Sequence, residues 1–163
     1  GEAVATDERI LVHMEATSAN NGIYVKTSST VLTRASDFDT PTELYYDLKS
    51  LHPILEVFPK LGRCSLVKVN TGGWFPTHRD GILLQRKTFR IVVFLTNTNH
   101  SSYEWEHDHR IRQIEEGRAY YIDTRKTHRT HSYVPDSIHL VMNIPKTYEN
   151  VLRVLNILQA GES

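Results

Sequence analysis

The sequence predicts a mainly β chain, a β-sandwich or jelly roll with supporting helices in its N-terminal third and at its C-terminus. Three observations predict it. From Arg63 onward, short apolar or alternating runs recur between turn-forming residues, giving roughly eight strand-length segments. Helical spacing is confined to the stretches after Thr40 and after Tyr148. A length of 163 residues suits one domain with one sizeable core. The expected organisation is a single unit over 1–163, with 1–60 as an N-terminal support region and 63–145 as the core.

Taken in order, residues 9–14 and 22–26 each read as short strands. Thr40-Pro41-Thr42-Glu43 reads as a helix start, with Thr40 as N-cap, Pro41 at the first helical position and Glu43 closing a capping box. That helix would carry Leu44, Tyr45, Leu48 and Leu51 at helical spacing. Pro53 and Pro59 interrupt the next stretch, leaving a second short helix around 54–58. Residues 64–69 alternate loosely and end at the turn Asn70-Thr71-Gly72-Gly73. Residues 89–95 form a dense β-branched run and read as a buried strand. Residues 97–102 read as a polar turn, and 103–107 and 110–114 as the two arms of a hairpin. Glu116-Gly117 turns the chain into a strand over 118–123. A strand over 138–143 is stopped by Pro145. An amphipathic helix over 148–158, with Val151, Leu152, Val154, Leu155 and Leu158, closes the chain.

Composition narrows the function. Lys and Arg total 19, as do Asp and Glu, so net charge is zero and nothing global favours nucleic-acid binding. A local basic patch around Arg125, Lys126 and Arg129 stays open. No apolar run is long enough to cross a bilayer, so no membrane association is expected. Gly1-Glu2-Ala3-Val4 lacks the basic and apolar regions of a signal peptide, and Gly1 in place of Met suggests a trimmed start. The single cysteine, Cys64, excludes an intrachain disulfide and fits a reducing cytoplasm. Nothing basic is paired with it in the sequence, so it reads as a buried strand residue.

Nine histidines direct attention to metal ligands. In His78-Arg79-Asp80, two residues apart on an extended segment project to the same side and can reach one metal. A third ligand must come from a facing strand, and His128 lies just past a strand-like segment. Two imidazoles and one carboxylate bind a divalent ion on one face and leave the other open, the ligand set of non-haem iron oxygenases. The spacing alone carries little weight. With nine His and nineteen acidic residues among 163, about one His-x-acid pair is expected by chance, and His13-Met14-Glu15 is a second.

The surroundings carry more. Residues 66–143, about half the chain, resemble the aspartyl/asparaginyl β-hydroxylase and bacterial proline hydroxylase branch of the iron(II)- and 2-oxoglutarate-dependent oxygenases. Lys68-Val69-Asn70-Thr71-Gly72-Gly73-Trp74-Phe75-Pro76-Thr77-His78-Arg79-Asp80 resembles that branch's strand, turn and metal-binding His-x-Asp. Arg90-Ile91-Val92-Val93-Phe94-Leu95 is similar to its Arg-x-His strand, with Val92 where His is common. Glu116-Gly117-Arg118-Ala119-Tyr120-Tyr121-Ile122-Asp123, followed by His128, resembles its Gly-Glu-x-Trp-x-x-Asp…His segment. Asp136-Ser137-Ile138-His139-Leu140-Val141-Met142-Asn143 is similar to its Asp-Arg-x-His-Leu-x-x-Asp strand.

The resemblance implies a double-stranded β-helix (jelly-roll, cupin-like) fold. It implies iron held by His78, Asp80 and His128, 2-oxoglutarate as co-substrate and hydroxylation of an amino acid, a peptide side chain or another small molecule. Arg90 would help hold 2-oxoglutarate. The branch's other co-substrate arginine falls on Ser137, which cannot form a bidentate pair with a carboxylate. Arg90, Arg129 or Arg125 would then take over, or the metal would serve a cupin-like protein without 2-oxoglutarate, or the fold would only bind a ligand.

The remaining candidates are weighed beside these. His131 rivals His128 but would face the opposite side of a strand; the family spacing favours His128. His139, inside an apolar run, reads as a satisfied core or near-site residue. His107-Asp108-His109 reads as a solvated hairpin tip. Trp74 and Phe75 either wall the substrate pocket or belong to the core. Gln85, Arg86 and Lys87 read as a polar loop near the site entrance. Trp74, Arg86 and Trp105 are the candidate substrate contacts. Tyr103 and Tyr120 lie on strands lining the jelly roll, where aromatic packing is the simpler role.

Overall fold

A computed structural model describes residues 23–25, 35–80, 87–98, 101–105 and 114–161. The strands, in chain order, are β1 (Tyr24–Val25), β2 (Thr40–Pro41), β3 (Cys64–Val69), β4 (Trp74–His78), β5 (Thr88–Thr96), β6 (Ser101–Trp105), β7 (Ala119–Ile122), β8 (His128–Ser132) and β9 (Ser137–Pro145). The helices are α1 (Glu43–Asp47), α2 (His52–Leu55) and α3 (Tyr148–Gly161), with 3-10 turns at Ala35–Asp37 and Lys49–Leu51. From β3 to β9 the strands alternate between two antiparallel sheets. The larger has the order β3-β9-β5-β7 and the smaller β4-β8-β6. A chain that changes sheet at every strand winds as a helix around a sandwich, which is the jelly-roll, or double-stranded β-helix, architecture. The chain is therefore a mainly β, cupin-like fold closed by a C-terminal helix.

The larger sheet is covered on both faces over β9 and most of β3 and β5, whereas the outward residues Ala119 and Tyr121 of its edge strand β7 are exposed. Its outward residues, among them Cys64, Val93, Leu140, Met142 and Ile144, join Ile23, Leu55, Phe58 and Leu61 in one core under α1 and α2. Its inward residues Val92, Phe94 and Ile122 form a second core with Ile114 between the sheets. Double burial is why β5 and β9 are apolar without alternation. Arg90, Asn143 and Ser65 share the inward phase of their strands, so the same face that holds the second core also carries a polar end.

Several local expectations are revised. Thr40 and Pro41 pair with β1 rather than opening a helix, and the N-cap passes to Thr42, whose Oγ1 donates to the Ile23 carbonyl at 3.1 Å. The first helix stops at Asp47 and continues as a 3-10 turn. The second begins at His52, not 54, because Pro53 is accommodated in its first turn. β6 starts within the expected polar turn, and among the described residues it pairs with β8, Tyr103 opposite Thr130. The expected hairpin partner at 110–114 falls almost wholly outside the described residues, as do the strand at 9–14, His13, His107-Asp108-His109, Gln85 and Arg86. Of the expected 22–26 strand, Tyr24–Val25 is present.

The final helix is longer than expected and differently used. Asn150, fully buried, donates to the carbonyls of Lys60 (2.7 Å) and Pro145 (2.9 Å), which anchors the first turn. Val154 packs on the outer core, but Tyr148, Val151, Leu152, Leu155, Ile157 and Leu158 are 40 to 78 % exposed, so the apolar spacing is not spent on this chain's described core. No described helix is long and apolar enough to cross a membrane, which leaves β-barrels unaddressed. Cys64 is fully buried, and burial pushes its thiol far above the usual range.

Gly62 lets the chain enter β3. Its N–H donates to the Asn143 carbonyl at 3.0 Å, and a Cβ there would stand 2.6 Å from that carbonyl oxygen and closer still to the Ala35 carbonyl. Both neighbours are backbone and cannot yield cheaply. Gly62→Ala is expected to destabilise the fold by about 2–4 kcal/mol, read as a lowered urea midpoint at unchanged slope.

Candidate metal centre

β4 and β8 bring two imidazoles to the inside of the smaller sheet. Trp74 pairs with His131 and Phe75 with Thr130, but His78 pairs with His128, so Pro76 and Thr77 together oppose the single residue Arg129. This bulge matters for facing. His78 lies three positions after Phe75, a spacing that a regular strand would put on opposite sides. With the extra residue both face inward, and the two rings meet edge to face at 4.6 Å between centroids. The His78 and His128 rings lie 4.3 Å apart. Asp80 follows β4 and is fixed by its N–H to the Thr124 carbonyl (3.1 Å). Arg79 donates from Nε to Thr127 Oγ1 (2.9 Å), tying the Asp80 segment to the one that delivers His128.

The ligand atoms of His78, Asp80 and His128 all lie within 4.8 Å of one another. His78 Nε2 is 3.2 Å and His128 Nε2 is 3.9 Å from Asp80 Oδ1. Two ligands of an octahedral ion, each about 2.1 Å from it, stand about 3 Å apart, so small movements would complete a coordination sphere. The tautomers agree. Nδ1 of His78 meets the Pro76 carbonyl at 2.8 Å and Nδ1 of His128 the Lys126 carbonyl at 2.9 Å. A carbonyl only accepts, so each Nδ1 carries the proton and each neutral ring aims its Nε2 lone pair at the same carboxylate oxygen. Lone pairs converging on one point require a cation there, either a proton or a metal ion. The donor set of two imidazoles and one carboxylate fits a borderline divalent metal such as iron.

The charges are set by the neighbours. Burial is the largest influence on Asp80 and favours its neutral form. The hydrogen bond from His78 and the charges of Arg90 and the two histidines outweigh it and hold the carboxyl below its usual range. Burial also works against a charged His78, but the bond to Asp80, with the Pro76 carbonyl and the carboxylate charge, raises its proton affinity. His128 goes the other way, lowered first by burial and further by His78 and Arg90. Of the two imidazoles, His78 therefore has the higher proton affinity, and its Nε2 is the one directed at Asp80 at 3.2 Å.

Arg90 on β5 reaches across from the larger sheet. Its Nη1 lies 2.6 Å from Asp80 Oδ2, while Nε and Nη2 both donate to Asn143 Oδ1 (3.2 and 3.1 Å). Asn143 Nδ2 donates in turn to the Arg63 carbonyl at 2.9 Å. Arg90 thus holds one carboxylate oxygen and leaves Oδ1 to the histidines.

The other sequence candidates are placed elsewhere. Arg129 is exposed, on the face of β8 opposite His128. Arg125 is exposed and forks onto Asp123 at 2.8 and 2.9 Å. Ser137 is fully buried at the far end of β9, six residues from Asn143, roughly 20 Å at the rise of a strand. Trp74, half-buried, pairs with His131 on the face turned away from the triad, so Phe75 is the aromatic against it. Trp105 lies in β6 opposite His128 by backbone register. His139 is buried beside Phe94, at 5.5 Å between ring centroids. Sequence reasoning passes over Arg63 and does not name Asn143 as a site residue. The signal is available in phase, because both fall on the inward-facing register of apolar strands, where a polar side chain needs a reason.

No protein-family model matches the chain, and no curated protein matches it. Solved structures share part of the fold. KdgF from Halomonas sp. is 19% identical with a TM-score of 0.41, over 52% of this chain and 70% of that one. The DMSP lyase DddQ from Ruegeria pomeroyi DSS-3 is 17% identical with a TM-score of 0.40, over 53% of this chain and 39% of its own. A cupin 2 conserved barrel domain protein from Salinispora arenicola CNS-205 is 12% identical with a TM-score of 0.38, over 58% and 71%. At these scores none of them bears on the chemistry, and the architecture rests on the strand order above.

Two outcomes are expected. Metal uptake releases protons, and affinity falls as pH drops through the raised His78 value; calorimetry in buffers of different ionisation enthalpy measures both. Arg90→Met leaves Asp80 buried without its cation, lowering folding stability by on the order of 3 kcal/mol and weakening metal binding, seen by chemical denaturation and metal titration.

Proposed function

We propose that the chain is an iron(II)- and 2-oxoglutarate-dependent dioxygenase that hydroxylates an amino acid, a peptide side chain or another small molecule. The observation that carries this reading is the convergence of two imidazoles and one carboxylate, with the ligand atoms of His78, His128 and Asp80 all within 4.8 Å of one another. The sequence resemblance over residues 66–143 supports it. The reading takes 1–163 as one domain with its core at 63–145, working in a reducing cytoplasm without nucleic acid or membrane.

When bound, iron(II) supplies the activation of dioxygen at the expense of the keto acid. The chain's own residues prepare that event. His78, Asp80 and His128 would hold the ion, a three-residue ligand set that leaves room for co-substrate and oxygen. The carbonyls of Pro76 and Lys126 keep both rings in the ligating tautomer. Arg90 keeps Asp80 ionised and monodentate. Phe75 shields His78 from water on one side. Arg86 and Trp105 remain proposed substrate contacts, whereas Trp74, on the face turned away from the triad, does not.

A second reading, a cupin-like metalloprotein that does not use 2-oxoglutarate, is favoured by the positions of Ser137 and Arg129, neither of which reaches the triad, and by the engagement of Arg90 with Asp80. Succinate formation separates the two. Wild-type protein with iron(II), 2-oxoglutarate and candidate substrates is expected to form succinate, and His78→Ala to fall to background. Equal turnover in the two proteins, or no uptake of 2-oxoglutarate by the metal-loaded wild type, rejects the oxygenase reading.

A further inference from the structure

Arg63 carries a guanidinium that the metal centre does not use. It stands immediately before β3, where its carbonyl accepts both the backbone N–H of Asn143 (3.0 Å) and the Asn143 side-chain amide (2.9 Å). Cys64, the next residue, belongs to the outer core, so strand alternation turns Arg63 inward. Asn143 is the register partner of Arg90. Arg63, Asn143 and Arg90 therefore form a row across the inner face of the larger sheet, with the two arginine backbones two strands, or about 10 Å, apart.

The two guanidiniums are unequally engaged. Arg90 directs three nitrogens to Asp80 and Asn143. Arg63 Nε is buried and has no hydrogen-bond partner among the described residues, and its guanidinium carbon lies 5.8 Å from the centre of the Phe38 ring. Burial is the largest influence on its proton affinity, followed by Arg90, which lowers it, and Asp80, which raises it, so Arg63 is electrostatically within the same site. A buried donor without an acceptor is costly, and a guanidinium pairs best with a planar oxyanion. Among the described residues, two guanidiniums stand against the one carboxylate of Asp80 at this end of the sandwich.

We infer that Arg63 is the carboxylate-recognising residue of the site, and that the ligand is a small dicarboxylate with one end at the triad and its distal carboxylate on Arg63. The inference rests on the 2-oxoglutarate reading and assigns to the entry of β3 the task that neither Ser137 nor Arg129 is placed to perform.

The test is calorimetric binding to the full chain loaded with manganese(II), a redox-quiet stand-in for iron. Two ligands are compared, 2-oxoglutarate and pyruvate, which has the same keto-carboxylate head and no distal carboxylate. Wild type is expected to prefer 2-oxoglutarate. Arg63→Met is expected to weaken 2-oxoglutarate roughly 10- to 100-fold while pyruvate binding changes less than about twofold, which also shows that the variant is folded and holds metal. Arg63→Lys, a point charge without the fork, should fall between. Undiminished 2-oxoglutarate binding in Arg63→Met, equal weakening of both ligands, or equal affinity of wild type for the two ligands overturns the assignment and leaves the oxygenase reading standing. A metal-loaded wild type that binds neither ligand overturns both.

Discussion

The ion pair between Arg90 and Asp80 joins the two sheets at the end where the chemistry would occur. Arg90 rises from the larger sheet and Asp80 from the chain leaving β4 of the smaller one. Two charges taken out of water are held only if their other hydrogen-bonding capacity is met. Asn143 meets it on the arginine side and the imidazoles on the carboxylate side. The pair therefore dictates that one end of the sandwich interior be polar. Val92, Phe94 and Ile122 fill the neighbouring space, so the boundary between dry core and wet site runs through β5 between Arg90 and Val92.

The larger sheet had to be covered on both faces over β5 and β9 for that division to work. With its outer face sealed by Leu55, Phe58 and Leu61, the strands β5 and β9 are stabilised from outside, and their inner residues are free to include Arg90, Asn143 and His139. Stability and function thus occupy opposite phases of the same strands. Asn150 extends the outer seal to the start of the last helix, whose remaining turns contribute little to it.

The same division explains what is legible in the sequence. β3, β5 and β9 are readable because burial leaves a hydrophobic record, and the jelly-roll architecture comes from counting such runs. β8, His-Arg-Thr-His-Ser, leaves none, because its buried residues are polar, from His128 in the triad through Thr130 to Ser132 beside the turn at Gly73. The start of β6 reads as a turn for a similar reason, Ser101 and Ser102 being polar. The triad is legible from residue types, ordering and resemblance, but not from His-x-Asp spacing, which chance supplies. Arg63 and Asn143 escape notice because their involvement depends on cross-strand register, which pairs residues 80 apart in the chain. The Thr40 cap misleads because a threonine-proline pair satisfies a helix start and an edge strand equally well, and only the proximity of β1 decides between them.

The bulge at Pro76 and Thr77 carries one further consequence. Strands have a parity, and every residue N-terminal to the bulge is in one phase while His78 and Asp80 are in the other. The identity of the ligands and the register in which they pair are separate pieces of information. A homologue could keep His-x-Asp letter for letter, three positions after its phenylalanine, and, by pairing this segment as a regular ladder without the bulge, present both side chains to solvent. Spelling alone would not distinguish such a chain from this one; the pairing register would.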